Sequence, residues 1–504
     1  MTNRIESNSR THGLFGPGRL LDNRPAHFVN GRFIGSDEPA SDVISVVDPS
    51  SGETIIELPI ATPELVDEAV RAAVSAQAAW SRTSHQQRAV MLDLIRTEIA
   101  LHADDIAHIV VTEQGKPLRD AMGEVGGAQK FFEYAASQRF RDVGEIVAAE
   151  PGRQIAVSEY PVGVVAAILP WNFPAAIFAR KVAPALMAGN AVIVKPSELT
   201  PLSALALARV CQMAGLADGL VQVLCGDGPG TGASLVTHEA IGMVTMTGST
   251  RGGRQILEQC APQIIPVSLE LGGKAPFIVF ADADLERAVD DAVDARLWNS
   301  GQVCTCNEVT YVHESVADVF TAALVERFTA ITPRHPLDPE STMGPLVSDR
   351  EVRKVADMVA AAVNAGAHLA VGGGAPAGAD YASGNWFAPT ILTDVKPDMD
   401  IARQEIFGPV LPIVRFTDDD DVIGWANSTA YGLTAYVYTA DVSRAMRAID
   451  DLEFGEVYIN SVGPEQVQGF HTGWKASGMG GDDGAHGYER YVRRKTTYID
   501  YGSN

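Results

Sequence analysis

The segment from Val162 to Leu224 constrains the fold more than any other part of the chain. Residues 162–169 form an unbroken apolar run, which predicts a strand buried on both faces. The sequence then predicts, in order, a helix at 174–188, a strand at 191–194, a helix at 201–214 and a strand at 220–224. Strands and helices that alternate in this way form a parallel α/β sheet, and ligands of such sheets bind beyond the carboxyl ends of the strands.

A second α/β unit is predicted to begin near Leu271, where the alternation starts again. Its first elements are expected to be a strand at 277–280, a helix at 285–298 and a strand at 310–312. The region before residue 142 is predicted to be mostly helical, with helices over Val66–Trp80, Gln86–Asp104 and Leu118–Arg139. The tail Tyr488–Tyr501 is predicted to be a strand that needs a partner, for which another subunit is one candidate.

The charge and the cysteine content exclude several classes of protein. A net charge of -24 argues against binding to nucleic acid, because an acidic surface repels phosphates. The run Asp418–Asp421 is interpreted as a solvated helix start rather than a cation site. Five cysteines without zinc-like spacing fit a reducing compartment, and no apolar stretch approaches the ~20 residues needed to cross a bilayer. A cytoplasmic protein that binds neither membrane nor metal is therefore expected.

The segment Lys195-Pro196-Ser197-Glu198 directly follows the second predicted strand. An ammonium can donate to ribose hydroxyls there, and a carboxylate can accept from a 2′,3′-diol. The same carboxylate would repel a 2′-phosphate, which favours NAD over NADP. A surface ion pair between Lys195 and Glu198 is the simpler alternative.

Two glycine-bearing segments follow further strands and precede helices. Gly226–Gly232 and Thr247–Thr250 can each bring backbone N–H groups or a helix N-terminus towards a pyrophosphate. The first departs from the G-x-G-x-x-G spacing, so that a tight strand-to-helix turn explains it about as well.

Three residues are candidates for chemistry. Cys304 lies in a polar, glycine-bearing segment, where a thiol can be exposed and reactive rather than a buried apolar group. Glu270 stands between two leucines, where desolvation raises a carboxyl pKa towards that of a general base. Asn172, in Pro-Trp-Asn-Phe-Pro, can donate to a developing oxyanion.

In this order along the chain, the segments PWNFP, KPSE, TGST, LELGGK, GQVC, QEIFGP and YGLTA closely resemble the aldehyde dehydrogenase superfamily, from about residue 45 to the C-terminus. The resemblance implies an α/β fold with a Rossmann-type NAD-binding domain, an α/β catalytic domain and a small β oligomerisation arm. The implied boundaries are a flexible N-terminal arm (1–24), the NAD-binding domain (25–142 and 161–271), the catalytic domain (272–482) and oligomerisation strands (143–160 and 483–504).

The resemblance also implies a role for each matching residue. Cys304 would be the nucleophile, Glu270 the general base and Asn172 the oxyanion donor, with no metal. The residues expected to contact NAD are Leu169, Trp171, Lys195, Ser197, Glu198, Gly228, Gly232, Thr247, Gly248, Ser249, Leu271, Gly272, Glu405 and Phe407. Lys181 matches a lysine found close to the active site. A homo-oligomer, either dimer or tetramer, is expected.

The lactaldehyde and glycolaldehyde dehydrogenase branch resembles this chain best. It implies that Arg180, Glu465 and His471 contact a small 2-hydroxyaldehyde, although a loop histidine that caps a carbonyl would also explain His471. The chain departs from the branch at Val309, where an arginine of structural role is usual, and at residues 461–464, which border the expected substrate pocket. The alternatives are a semialdehyde, a sugar-derived aldehyde, transfer of the acyl group to CoA, or a non-catalytic scaffold.

Overall fold

The structure is a computed structural model that describes residues 14–15, 19–22, 24–35 and 42–502. Its strands are β1 (Pro25–Val29), β2 (Arg32–Gly35), β3 (Val43–Val47), β4 (Thr54–Pro59), β5 (Gly144–Glu150), β6 (Arg153–Pro161), β7 (Val164–Ile168), β8 (Ala191–Lys195), β9 (Val221–Leu224), β10 (Ile241–Thr247), β11 (Val267–Glu270), β12 (Ala275–Val279), β13 (Asn307–His313), β14 (His368–Val371), β15 (Thr390–Thr393), β16 (Val410–Phe416), β17 (Tyr431–Gly432), β18 (Thr434–Tyr438), β19 (Glu456–Ile459), β20 (Trp474–Lys475), β21 (Gly478–Met479) and β22 (Val492–Asp500).

The α-helices connect and cover these strands. They are α1 (Pro63–Trp80), α2 (His85–Leu101), α3 (Ala103–Gln114), α4 (Leu118–Ser137), α5 (Pro174–Met187), α6 (Leu202–Met213), α7 (Ala233–Val236), α8 (Thr250–Cys260), α9 (Leu285–Leu297), α10 (Glu314–Ala330), α11 (Asp349–Asn364), α12 (Asp400–Arg403), α13 (Val422–Asn427), α14 (Val442–Asp451) and α15 (Gly484–Tyr488). Among the described residues, no helix is both long enough and apolar enough to span a bilayer.

The first sheet contains the predicted parallel strands. Its order is β2-β1-β9-β8-β7-β10-β11-β21. The five adjacent strands β9, β8, β7, β10 and β11 run parallel to one another. β7, β8 and β9 follow one another outward, and β10 then returns to the other side of β7. This reversal of strand order opens a crevice at the carboxyl ends of β7 and β10, which is where ligands of open α/β sheets bind.

The second sheet confirms the second α/β unit. Its order is β14-β15-β16-β13-β12-β18-β19, with parallel pairing from β15 to β19. Apolar side chains fill both faces in two core clusters. Val309 of β13 is buried in one of them, so that an apolar contact occupies the position where the branch has arginine.

The predicted C-terminal strand has its partner within the same chain. β22 pairs antiparallel with β6 over the whole of its length, and β6 pairs with β5 to complete a three-stranded sheet. The predicted N-terminal arm lies largely outside the described residues. Of the part that is described, Leu20 and Leu21 are buried. The predicted domain boundaries stay a prediction.

The acidic run Asp418–Asp421 ends directly before helix α13, and Asp421 is the capping residue of that helix. Its carboxylate accepts a hydrogen bond of 2.8 Å from the Gly424 backbone N–H and caps α13. Asp420 turns back to the Thr417 N–H at 2.7 Å. Both carboxylates therefore satisfy backbone donors, in agreement with the predicted helix start.

Candidate active site

The loop that carries Cys304 begins with a strained turn. Asn299 and Ser300 have φ values of 47° and 57°, in the left-handed region that side chains rarely adopt. The Asn299 amide donates to the Asn172 carbonyl (3.1 Å) and the Gln302 carbonyl (3.3 Å), and its oxygen accepts from Gln114 (3.0 Å). These buried hydrogen bonds hold the turn in place. Cys304 is partly exposed, whereas the other four cysteines are buried.

Asn172 lies against the same loop. Its side-chain Nδ2 donates to the Gln302 carbonyl at 3.0 Å, two residues before Cys304. Its own carbonyl accepts from the buried Lys116 ammonium (2.8 Å), which pairs with Glu124 at 2.5 Å. The segment after β7 is thus fixed to the segment that carries Cys304, and an amide nitrogen keeps a second N–H for a ligand.

Glu270 lies at the carboxyl end of β11 with a buried carboxyl group. Neither of its oxygens has a hydrogen-bond partner among the described residues. Burial raises the pKa of Glu270 to about 8, although the nearby charge of His471 acts in the opposite direction. An unpartnered carboxyl group whose pKa lies near neutrality has the properties of a general base.

His471 lies between Glu270 and a second carboxylate. Its Nε2 is 3.6 Å from a Glu270 oxygen, and its Nδ1 is 3.2 Å from Glu456. Burial alone would lower the pKa of His471, but the Glu456 charge and hydrogen bonds to Cys304 and Glu456 raise it well above its usual value. His471 therefore joins the predicted nucleophile to the predicted base.

The two cations on α5 point towards the loop around residues 482–483. Arg180 donates to Asp483 at 2.7 and 3.1 Å and forms an ion pair with Glu465. Lys181 donates to Asp482 and Thr245, both at 2.9 Å. The predicted substrate residues Arg180 and Glu465 are thus in direct contact, with Asp483 as an additional partner.

The predicted coenzyme residues line the carboxyl edge of the first sheet. Lys195 ends β8 with its ammonium 3.6 Å from the half-exposed Glu198 carboxylate, and Ser197 between them is buried. The Leu169 N–H donates to the Lys195 carbonyl at 3.0 Å, which joins this segment to the end of β7. The Lys195–Glu198 ion pair does form, and Glu198 keeps enough exposure to meet a ligand.

The two glycine-bearing segments close the same edge. A Cβ built on Gly228 would have open space around it, and one on Gly232 would come within 3.9 Å of the Lys195 side chain. Ser249 caps α8 by accepting from Gly252 at 3.2 Å, and Gly248 donates to the Glu270 carbonyl at 2.9 Å. The buried Thr247 hydroxyl has no partner in the described part of the chain. An unsatisfied hydroxyl beside a helix N-terminus fits a phosphate-bearing ligand.

Glu405 and Phe407 reach the site from the second unit. Glu405 accepts from the Gly273 N–H at 2.8 Å, and a Cβ on Gly272 would come within 2.5 Å of its carboxylate. Burial and the Glu308 charge raise the pKa of Glu405 to about 7. The Phe407 ring meets the Trp171 ring edge to face at 5.3 Å. Leu271, whose N–H donates to the Ser477 carbonyl at 2.8 Å, continues the chain between Glu270 and Gly272.

Glu308 is a buried residue whose part in the site the sequence did not reveal. Its carboxylate accepts from the Ile406 and Phe407 N–H groups (2.7 and 3.1 Å) and pairs with Lys274 and Arg296. Burial alone would raise the pKa of Glu308, but the two cations lower it to about 2. Glu308 therefore fixes the loop that carries Glu405 to β13, four residues after Cys304. Its position four residues after the predicted nucleophile Cys304 was the available signal in the sequence.

A cavity of about 130 Å³ adjoins the Cys304 segment. Trp298, Val303 and Thr305 line one side of it, and Val462, Gly463 and Pro464 line another. The stretch in which the chain departs from the lactaldehyde branch borders this cavity, and its place in a substrate pocket stays a prediction.

Comparisons with known proteins show the family of the chain. A model of the aldehyde dehydrogenase family matches residues 35–497. The chain is 63% identical over 489 residues to a 3,6-anhydro-alpha-L-galactose dehydrogenase of Streptomyces coelicolor (97% of this chain, 99% of the relative). It is 40% identical over 474 residues to lactaldehyde dehydrogenase of Escherichia coli (94% and 98%). A solved 3,6-anhydro-L-galactose dehydrogenase in complex with NAP superposes with a TM-score of 0.91 at 41% identity (94% of this chain, 99% of that chain).

These matches confirm the predicted resemblance, the fold class and an aldehyde dehydrogenase activity. They span the two sheets, the carboxyl-edge segments and the Cys304 loop together. The chain therefore belongs to the aldehyde dehydrogenase family.

Proposed function

We propose that this enzyme oxidises a neutral, hydroxyl-bearing, sugar-derived aldehyde of the 3,6-anhydro-L-galactose type to its acid, with NAD as coenzyme. The relative with 63% identity acts on such a sugar, which supports this alternative better than the small 2-hydroxyaldehyde. The observation that carries the proposal is the pairing of Arg180 with two carboxyl groups, because it leaves a polar substrate site without a free guanidinium.

Cys304, Asn172 and Glu270 divide the chemistry between them. The Cys304 thiolate adds to the aldehyde carbon, and the Asn172 amide with the Cys304 backbone N–H donates to the alkoxide. Each such donor lowers the barrier by about 2.7–4 kcal/mol. A bound nicotinamide supplies the hydride acceptor. Glu270 then takes a proton from the water that attacks the Cys304 thioester, and the acid leaves with Cys304 restored.

Lys195 and Glu198 are the residues we assign to the adenosine ribose. Thr247 and Ser249 would face the pyrophosphate, and Glu405 would hold the second ribose. This donor and acceptor set fits a dinucleotide. The coenzyme in the solved relative, NADP, carries a 2′-phosphate that the Glu198 carboxylate would repel.

Replacement of Glu198 by serine is expected to relax the coenzyme preference. The ratio of kcat/KM with NAD to kcat/KM with NADP should fall about tenfold or more, because a repulsion of roughly 1.4 kcal/mol disappears. Steady-state assays with both coenzymes measure the ratio, and Glu326→Gln on the exposed face of α10 serves as a charge control. An unchanged ratio would show that Glu198 does not select NAD.

The charges near Arg180 favour neutral substrates over semialdehydes that carry a second carboxylate. Burial alone would raise the pKa of Glu465, but the Arg180 charge lowers it to about 2, so that this carboxylate is ionised at neutral pH. An incoming carboxylate would meet Glu465 and Asp483 instead of an available guanidinium. Hydroxyl groups, in contrast, can donate to these carboxylates.

An aldehyde panel tests this assignment. Wild type should oxidise 3,6-anhydro-L-galactose with a kcat/KM at least about tenfold above those for lactaldehyde and succinate semialdehyde. Glu465→Gln releases part of the Arg180 charge and should raise kcat/KM for succinate semialdehyde roughly tenfold. Glu326→Gln again controls for the lost charge. A wild type that prefers lactaldehyde would support the small 2-hydroxyaldehyde, and one that prefers the semialdehyde would refute the charge argument.

We also propose that the chain forms a homo-oligomer through the sheet β22-β6-β5. Ile146, Val147, Tyr498 and Tyr501 expose apolar side chains on it, with more than half of Tyr498 accessible. Exposed apolar side chains of this kind are typical of an interface.

A further inference from the structure

His471 contacts two acidic side chains, Glu456 and Glu270, and these contacts are not explained by substrate recognition alone. Glu456 of β19 lies 3.2 Å from Nδ1, and Glu270 of β11 lies 3.6 Å from Nε2. The ring is buried, and its backbone N–H and carbonyl pair with Asp482 at 3.0 and 2.9 Å. Nδ1 thus faces Glu456 and Nε2 faces Glu270, so that the ring lies between two carboxyl groups.

The surrounding charges favour a cation at this position. The charged and titratable groups that face His471 or its carboxylate neighbours are Glu270, Glu456, Glu465, Asp482, Asp483, Cys304, Tyr436, Tyr458, Tyr491, Arg180 and Lys181. Arg180 is paired with Glu465 and Asp483, and Lys181 with Asp482. Three of the five carboxyl groups are therefore paired with Arg180 or Lys181. The other two, Glu270 and Glu456, are the ones that contact His471.

Glu456 differs from Glu270 in its exposure and its hydrogen bonding. Its side chain is slightly more exposed, and its second oxygen lies 3.3 Å from the Thr434 hydroxyl, which can donate to it. Neither Glu270 oxygen has a hydrogen-bond donor in the described residues. Glu456 therefore has a hydrogen-bond donor in addition to His471, whereas Glu270 has none among the described residues.

We propose that Glu456 is a positioning residue that keeps His471 as an imidazolium, and that this imidazolium stabilises first the Cys304 thiolate and then the Glu270 carboxylate. The proposal rests on the assignment of Cys304 as nucleophile and of Glu270 as base. The same His471 imidazolium then acts in both halves of the reaction, which are formation and hydrolysis of the thioester. The proposal also gives a role to the position of the ring between Glu270 and Glu456.

The proton movements balance without any further reactant. Transfer of the Cys304 Sγ proton to a neutral His471 ring forms the thiolate and the imidazolium, and Glu456 favours this ion pair over the neutral thiol and imidazole. Attack on the aldehyde moves the negative charge from sulfur to the alkoxide oxygen, and the imidazolium keeps its proton. Once the thioester has formed, the nearest anion to the ring is Glu270, whose ionised form removes a proton from water.

The pH dependence of Cys304 alkylation tests this inference without turnover. Wild type, Glu456→Gln and His471→Gln are treated with iodoacetamide between pH 5 and 9, without coenzyme or aldehyde, and labelling of the Cys304 peptide is followed by mass spectrometry. Because Glu456→Gln destabilises the imidazolium and His471→Gln removes it, the alkylation profile should move to higher pH by about one unit in both variants. The rate at pH 6 should then fall about tenfold, and the limiting rate at high pH should stay unchanged.

Two further variants separate charge from packing. Glu453→Gln removes an exposed glutamate paired with Lys475 and should leave the alkylation profile unchanged. Glu456→Asp keeps the charge and should restore most of the wild-type profile, whereas an equal shift in the Asp and Gln variants would assign Glu456 a packing role and overturn the proposal. Superimposable profiles of wild type and Glu456→Gln would overturn it as well.

Failure of the inference can be told apart from failure of the proposed function. Dehydrogenase activity that survives in Cys304→Ser would refute the assignment of the nucleophile, whatever the alkylation profiles show. A normal loss of activity in Cys304→Ser, together with an unshifted profile in Glu456→Gln, would refute only the role of Glu456.

Discussion

Replacement of Cys304 by serine is expected to lower kcat/KM at least about 10⁴-fold, a loss typical of a deleted nucleophile. A serine hydroxyl is not ionised near neutral pH, and the donors around Asn172 cannot act on an adduct that does not form. Initial rates of coenzyme reduction with wild type and variant at pH 8 measure the effect. Circular dichroism and thermal unfolding should match wild type, because Cys304 is partly exposed and contributes little to the core.

Cys306→Ser is the matched control for this prediction. Cys306 is buried two residues further on, where burial raises its thiol pKa to about 12, so that it is not a nucleophile at neutral pH. Its Sγ lies 3.4 Å from the Gly301 carbonyl, and a serine hydroxyl can donate to the same acceptor. We expect its kcat within a few-fold of wild type. If the Cys306 variant were inactive and the Cys304 variant active, the nucleophile would be wrongly assigned.

The Glu270→Gln variant is expected to form the thioester but to hydrolyse it slowly. An amide cannot accept the proton of the attacking water, so the steady-state rate should fall about 10²–10⁴-fold. A rapid burst of reduced coenzyme, close to one per active site, should precede the slow phase in stopped-flow absorbance. Without such a burst, Glu270 would act before or during hydride transfer rather than after it.

The pH profile of wild type gives an independent check of the same role. A general base works in its ionised form, so thioester hydrolysis should accelerate as the pH rises through the Glu270 pKa, which burial places at about 8. The acceleration should be absent from Glu270→Gln. A pH-independent hydrolysis in wild type would contradict a role for an ionisable group here.

Much of the fold followed from local patterns. Strands β7, β8 and β9 are buried on both faces, so that most of their residues are apolar. Such runs, with helix α6 between two of them, can be recognised from neighbouring residues alone. The predicted helix Gln86–Asp104 was wrong at its end, because the structure ends α2 at Leu101 and starts α3 at Ala103. His102, with φ -110° and ψ 19°, separates the two helices, and apolar periodicity carries no mark of such a break.

Candidate site residues that lie in local sequence motifs could be predicted from the sequence. Residues brought together from distant elements could not. Cys304, Glu270 and Asn172 lie in dense local motifs, which the family resemblance aligned. Glu456, in contrast, lies on an edge strand 15 residues before His471, in a segment without recognisable signature. Its role depends on β19 bringing it beside a loop that also meets β11, and only the three-dimensional arrangement reveals that contact.

The most direct test of the account is to identify the covalent intermediate. Glu270→Gln is mixed with 3,6-anhydro-L-galactose and coenzyme, quenched in acid within the burst phase, digested and analysed by mass spectrometry. An acyl adduct with the mass of the oxidised sugar is expected on the peptide that contains Cys304, and it should be absent when coenzyme is omitted. An adduct on another cysteine, or no adduct despite a full burst of reduced coenzyme, would contradict the thioester on Cys304.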